Sequence, residues 1–171
     1  MIDKEVTCNN HFIIYSFILR LITFFIIIFI MFGAVFGVTA MKNNYMQPSI
    51  NTDDIMIFYR LEKEYKLSDV VIFTKDNKEY AGRIVAEKDD EVEITDDDKL
   101  KINGNIVVES KIFYKTSVYG DNVEYPLKLK DKEYFILCDY REDSKDSRYF
   151  GTVSEDEIKG KVITLIRGNN I

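Results

Sequence analysis

CDYREDSKDSRYFG, Cys138–Gly151, is the most ordered-looking irregular stretch in the chain. It follows a short apolar run, YFILCD (Tyr134–Asp139), and then places Asp139, Arg141, Ser144, Asp146, Ser147 and Arg148 within a few residues of one another. Carboxylates and guanidinium groups packed so closely make charge-assisted hydrogen bonds, which are shorter and stronger than neutral ones. The spacing predicts a loop after a strand, pinned by a network of Asp139, Arg141, Ser144, Asp146 and Arg148.

The sequence on either side has a β pattern. DDIMIFYRL (Asp53–Leu61), DVVIFTK (Asp69–Lys75), EYAGRIVAE (Glu79–Glu87), EVEIT (Glu91–Thr95), KLKING (Lys99–Gly104) and GKVITLIR (Gly160–Arg167) are short and rich in Ile, Val, Tyr and Phe. Turn-forming residues separate them: Asp76-Asn77, Asn103-Gly104 and Gly120–Asn122. Only SEDEIKG (Ser154–Gly160) suggests a helical turn. The fold class expected is mainly β, one antiparallel domain on a single N-terminal helix. The acidic run Asp89–Asp98 lacks the spacing and the turn glycine of a calcium loop and is expected to be a solvated hairpin.

The N-terminal part is different. Leu21–Met41 (LITFFIIIFIMFGAVFGVTAM) carries no charge, and as a helix it would extend about 31 Å at roughly 1.5 Å per residue. It is expected to span a membrane, giving a tail at 1–20, a transmembrane helix at 21–41 and a folded domain at 42–171. Val38–Ala40 also reads as a tolerable signal-peptide cleavage sequence, although the preceding tail is not strongly basic. The Lys and Arg residues flanking the span do not decide orientation. Lys4 and Arg20 balance Asp3 and Glu5, so the region beyond the span carries the whole net charge of −6. That charge argues against nucleic-acid binding and against attraction to an anionic surface.

Two cysteines and one histidine limit the chemistry further. Cys8 and Cys138 fall on opposite sides of the span and cannot pair within one chain. His11 precedes the span, so the folded domain has no histidine. Ser-His-Asp and Cys-His catalysis are unavailable to it, as is a histidine-dependent zinc site; no cofactor or metal is expected. Cys138 is expected to be buried.

A second stretch, NNYMQPSINTDD (Asn43–Asp54), follows the span. With the first it carries a resemblance. CDYREDSKDSRYFG resembles the G-D-N-R-x-x-S-x-D-S-R-x-x-G signature of type I signal peptidases. Asp139, Arg141, Ser144, Asp146, Ser147, Arg148 and Gly151 match; Cys138 stands for Gly and Tyr140 for Asn. The Asn43–Asp54 stretch resembles the S-M-x-P-T-L-x-x-G-D box, with Met46, Pro48 and Asp54 matching, Ser49 for Thr and Ile50 for Leu. SDVVIF (Ser68–Phe73), GRIVAEKDDEV (Gly82–Val92) and LKINGNIVVE (Leu100–Glu109) are similar to three further motifs of the family, in the same order.

The resemblance implies a membrane-anchored β domain on the outer face of a bacterial membrane. In active relatives a Ser nucleophile is activated by a Lys held neutral by desolvation. Here the nucleophile position is Tyr45 and the base position is Gly82. A phenol with an ordinary pKa of about 10 is protonated at neutral pH. The adjacent Arg83 cannot act as a base, because its guanidinium stays charged. Both positions are therefore read as vestigial, with Met46, Gln47, Pro48, Ser49 and Arg83 as the expected binding cleft.

Loss of the pair with retention of the frame resembles the signal-peptidase-like proteins of Gram-positive pilus loci. That implies a non-enzymatic chaperone or scaffold in the cell membrane, with pilin subunits or sortase as partners. The chain cannot itself be the sortase, since Cys138 has no histidine partner. The alternative is a divergent but active type I signal peptidase that cleaves exported precursors.

Overall fold

The structure, a computed structural model, describes residues 2–110, 112–120 and 122–168, with side chains from Phe12 onward. The side chains of Cys8 and His11, and residue Asp121 of the expected Gly120–Asn122 turn, lie outside the described residues. The chain divides into two compact units, Met1–Phe36 and Gly37–Ile171.

The first unit is helix α1 (Ile2–Val35), whose apolar residues lie on all sides. Phe12–Val35 is 24 residues, enough for about 36 Å of helix, and is long and apolar enough to cross a membrane. Its large side chains are exposed, Phe29 at 79%. The helical bounds differ from the expected Leu21–Met41. Arg20 does not interrupt the helix, because Arg is a good helix former and apolar residues continue on both sides of it. At the other end, Phe36–Ala40 (FGVTA) is a strand, β1. Its Gly and two β-branched residues disfavour helix, a distinction that apolarity alone does not reveal. Gly37 is required there: a Cβ would lie 2.1 Å from the Phe58 ring.

The second unit is two sheets. β2 (Ile55–Tyr59), β3 (Val70–Lys75), β4 (Lys78–Ala86), β9 (Glu133–Leu137), β10 (Val153–Ser154) and β11 (Ile158–Ile166) join β1 in a seven-stranded sheet, ordered β1-β2-β11-β3-β4-β9-β10. β5 (Glu91–Ile94), β6 (Leu100–Ile102), β7 (Asn105–Ile106) and β8 (Leu127–Lys128) form the other, ordered β7-β6-β5-β8. The pairings of β2 through β11 are antiparallel. The protein is thus mainly antiparallel β with one N-terminal apolar helix.

Two turn signals carry the hairpins. Asp76 and Asn77 both have positive φ (49° and 58°), as do Asn103 and Gly104 (50° and 79°). Two-residue turns of this kind match the twist of the strands they join. They bring Lys75 opposite Lys78 and Ile102 opposite Asn105. β3 is buried on both faces: Val71 and Phe73 join Ile84 and Ile136 in one cluster, while Ile72 joins Met46, Met56, Ala81 and Cys138 in another. That explains its unbroken apolar run. Glu155–Glu157 is a 3-10 turn, and Glu157 accepts from the Ser154 N–H at 2.8 Å and from Lys75 Nζ at 2.7 Å.

The Cys138–Gly151 segment forms the densest polar structure of the domain. Asp146 caps the short helix α2 (Ser147–Phe150), accepting from the Arg148 N–H. Arg148 also donates to it through Nε at 2.9 Å and Nη2 at 2.8 Å, and both side chains are fully buried. Arg148 further donates to Ser117 O and lies 4.3 Å from the centre of the Tyr119 ring. A buried charge left without its partner costs several kcal/mol. Replacing Arg148 by Met is expected to destabilise the domain by about 3–5 kcal/mol. Denaturant unfolding of the purified protein measures this directly.

Candidate functional site

The loop from Met41 to Asp54 is closed at its neck. The Met41 N–H donates to Asp54 O at 2.9 Å, and the Asp53 N–H to Met41 O at 2.8 Å. The Asp54 carboxylate, 2% exposed, accepts from the Asn51 N–H at 2.9 Å, the Gly168 N–H at 3.1 Å and Arg167 Nη1 at 2.9 Å. These partners, the Asn51 N–H foremost, hold its carboxyl below the ordinary aspartate range. Within the loop, Met46 and Ile50 are buried in the core beside Cys138. The Tyr140 N–H donates to Tyr45 O at 2.8 Å, which ties this loop to the Cys138–Gly151 segment.

Tyr45 is half-buried at the edge of that core. Burial, followed by the nearby Asp143, pushes its phenol above the ordinary tyrosine value. A cleft of about 730 Å³ opens beside it, lined by Met41, Lys42, Asn43, Met56, Ile72, Tyr80 and Ala81, with Lys78, Lys145 and Lys159 among the others. Tyr45 and Lys145 also line a second cavity, with Tyr119, Asp143, Ser144 and Tyr149. The Tyr45 ring thus borders two spaces.

The expected binding residues are distributed differently. None of Met46, Gln47, Pro48, Ser49 and Arg83 lines the cleft beside Tyr45. Met46 is fully buried core. Ser49 and Arg83 line a separate depression with Val70 and Lys161, and Pro48 and Ser49 another with Phe113 and Arg167. Arg83 is engaged elsewhere, donating to both Asp139 oxygens at 2.8 and 2.6 Å and to Ser68 O at 3.0 Å. The reason is geometric. Residues adjacent in a tightly closed loop point in different directions, and the cleft walls come from β1, β2, β3, β4 and the ends of other elements.

Gly82 is the position that the resemblance gives to the base. It sits on β4 opposite Val71. A Cβ there would meet Ile136 Cγ2 at 2.5 Å, Leu137 O at 3.3 Å and the Phe73 ring at 3.4 Å. Its open side therefore faces the Phe73–Ile136 core, while its neighbour Ala81 lines the cleft with Tyr45. Strand alternation puts consecutive side chains on opposite faces, so a one-residue step decides which residue sees the cleft.

The network residues come together as a group. Arg141, 1% exposed, donates to Cys138 O at 2.6 Å, to Thr116 Oγ1 at 2.8 Å and to both Glu109 oxygens at 2.8 Å. The Cys138 N–H donates to Asp146 at 3.1 Å, and Ser144 Oγ lies 3.4 Å from the same carboxylate. Cys138 is fully buried, which pushes its thiol well above the ordinary range. Sequence reasoning placed Glu109 in the Leu100–Glu109 motif but not in this network, and missed Thr116, Ser117 and Tyr119, which reach it from a segment without strands or helices among its described residues. Among the described residues no cluster of His, Cys, Asp or Glu could hold a metal.

Residues 14–166 match the family described as signal peptidase, peptidase S26. The chain belongs to that family. Signal peptidase IB of Staphylococcus aureus is 28% identical over 165 residues, which cover 86% of each chain. Signal peptidase I S of Bacillus subtilis is 31% identical over 105 residues, covering 57% of this chain and 56% of that one. A crystal structure of a signal peptidase I from Enterococcus faecalis shares 28% identity, with a TM-score of 0.47 over 60% of this chain and 98% of the other.

Two expected outcomes follow from the site. Gly82→Ala, normally a mild change in a strand, should cost about 1–3 kcal/mol here because the added methyl overpacks a filled core; Ala81→Ser, facing the cleft, should cost less in the same denaturation assay. Asp54 has a depressed folded pKa, so its stabilisation is present above the ordinary value of about 3.9 and is lost as pH falls through the folded value. Asp54→Asn should be less stable at neutral pH by about 1–3 kcal/mol. Its stability should also fall less steeply than the wild type's through that acid window, as read from unfolding midpoints against pH.

Proposed function

We propose that the protein is a membrane-anchored, catalytically incomplete signal peptidase homologue that binds polypeptide without cutting it. The helix anchors it as a single-pass protein of the cell membrane, with the domain on the extracytoplasmic side. It serves as a chaperone or scaffold in pilus assembly, with pilin subunits or sortase as the protein partner. The observation that carries this reading is at Tyr45. A residue with a raised phenol pKa occupies the position where the family resemblance expects an activated serine. Nucleophilic activation requires the opposite shift or an adjacent neutral base. Gly82 supplies no side chain, and the core beside it leaves no room for one.

A second reading, a divergent active peptidase, has one observation in its favour. Lys42 and Lys145 line the same cleft as Tyr45 and are amines of the type that serves as a base when neutral. Both are exposed, however, whereas an amine base of this kind is a desolvated one.

The test is cleavage of an exported precursor by the full-length protein in lipid, beside a Tyr45→Phe variant shown to be folded. The expected result is no product from either. Product from the wild type that disappears with Tyr45→Phe would overturn the non-enzymatic reading and make the phenol a nucleophile.

A further inference from the structure

The domain beyond the anchor carries a net charge of −6, yet the cleft beside Tyr45 is basic. Lys42, Lys78, Lys145 and Lys159 line it, against one carboxylate, Glu79. That carboxylate is already engaged, accepting from Lys159 Nζ at 2.6 Å. Among the described residues, Lys42, Lys78 and Lys145 have no carboxylate within salt-bridge distance, and Lys145 Nζ instead rests 4.7 Å from the centre of the Tyr149 ring. The three come from separate places in the sequence: after β1, at the start of β4, and within the network loop. The fold gathers them around one opening.

Below this rim the cleft is apolar. Met41, Met56, Ile72 and Ala81 are buried side chains that also line it. The volume of about 730 Å³ lies within the range of about 300–1,000 Å³ usual for ligand sites. An extended polypeptide presents alternate side chains to opposite directions. A segment laid across this cleft can place a small apolar residue on the floor while its neighbours reach the rim.

From these features we infer that the cleft selects an extended acidic segment of polypeptide, whose carboxylates pair with Lys42, Lys78 and Lys145 while an intervening apolar side chain packs on Met56, Ile72 and Ala81. This rests on the binding reading above and adds the chemical class of what is bound. Anionic lipid is the other source of negative charge. The acidic domain as a whole repels such a surface, and a lipid headgroup makes no use of the apolar floor. Three rim pairs are each weak, but they are complementary in sign to the ligand and opposed to the rest of the domain, the arrangement that confers selectivity and salt sensitivity.

The experiment uses the full-length protein in detergent and fluorescence anisotropy with labelled peptides of alternating Glu and Ala, and of alternating Gln and Ala. The Glu peptide should bind about tenfold more tightly, with an advantage that shrinks as salt rises. Lys42→Glu, Lys78→Glu and Lys145→Glu combined should abolish the advantage. Lys63→Glu, Lys66→Glu and Lys128→Glu combined, which change the net charge equally at exposed positions outside the cleft, should retain it. Equal binding of both peptides, or equal loss in the two triple variants, overturns the acidic preference while leaving a polypeptide binder. Failure to bind either peptide while an exported precursor is still held has the same meaning. Failure to bind the precursor as well removes the binding reading itself. Loss of binding to phosphatidylglycerol vesicles in the cleft triple variant, with Glu-peptide binding unchanged, assigns the lysines to lipid and overturns the proposal.

Discussion

The ion pair between Asp146 and Arg148 fixes most of what surrounds the site. Two residues apart and fully buried, the two side chains lose their hydration, a cost that their mutual attraction alone rarely offsets. The cost is met by saturation. The Asp146 carboxylate accepts from the backbone of Cys138 and Arg148 and from two guanidinium nitrogens, while Ser147 Oγ accepts from the Ile136 N–H. The pair thereby sets the end of β9. From there Asp139 meets Arg83 on β4, and Tyr140 meets the backbone of Tyr45. The position of the Tyr45 loop follows from a charge pair that never touches it.

This order of dependence changes how the motif is interpreted. A network so deeply built into the core contributes to stability whether or not any peptide bond is cut. Its presence beside Tyr45 therefore needs no catalytic explanation. The clues to function lie in the side chains that the frame does not need: the half-buried Tyr45 and the lysines around the neighbouring cleft.

The sequence was most informative where a signal was contiguous. The longer strands could be read from their Ile, Val, Tyr and Phe content, and Asp76-Asn77 and Asn103-Gly104 marked their hairpins because positive φ is a local demand. β7, β8 and β10 are two residues each, too short to show alternation. The end of α1 was misjudged because Phe36–Ala40 is as apolar as the helix before it, and what distinguishes it is the closeness of Phe58 to Gly37. The network residues were legible because they share one stretch. Their partners Glu109, Thr116 and Tyr119 were not, since irregular segments reach their targets only through tertiary structure. The cleft was the least legible part. Its walls join two runs, 39–43 and 77–81, to single residues from distant elements such as Met56, Ile72, Lys145 and Lys159, and the facing of Ala81 against Gly82 rests on strand register, which short motifs do not encode.

The buried thiol of Cys138 has a consequence of its own. It lies at the junction of β9 and the polar loop, donates weakly to Ala81 O at 3.6 Å, and is sealed from solvent. A thiol held protonated and covered reacts slowly with alkylating agents and oxidants. Its modification must wait for β9 to part from the loop, so the rate at which a small reagent labels this one sulfur is a clock for local opening of the frame that carries the site.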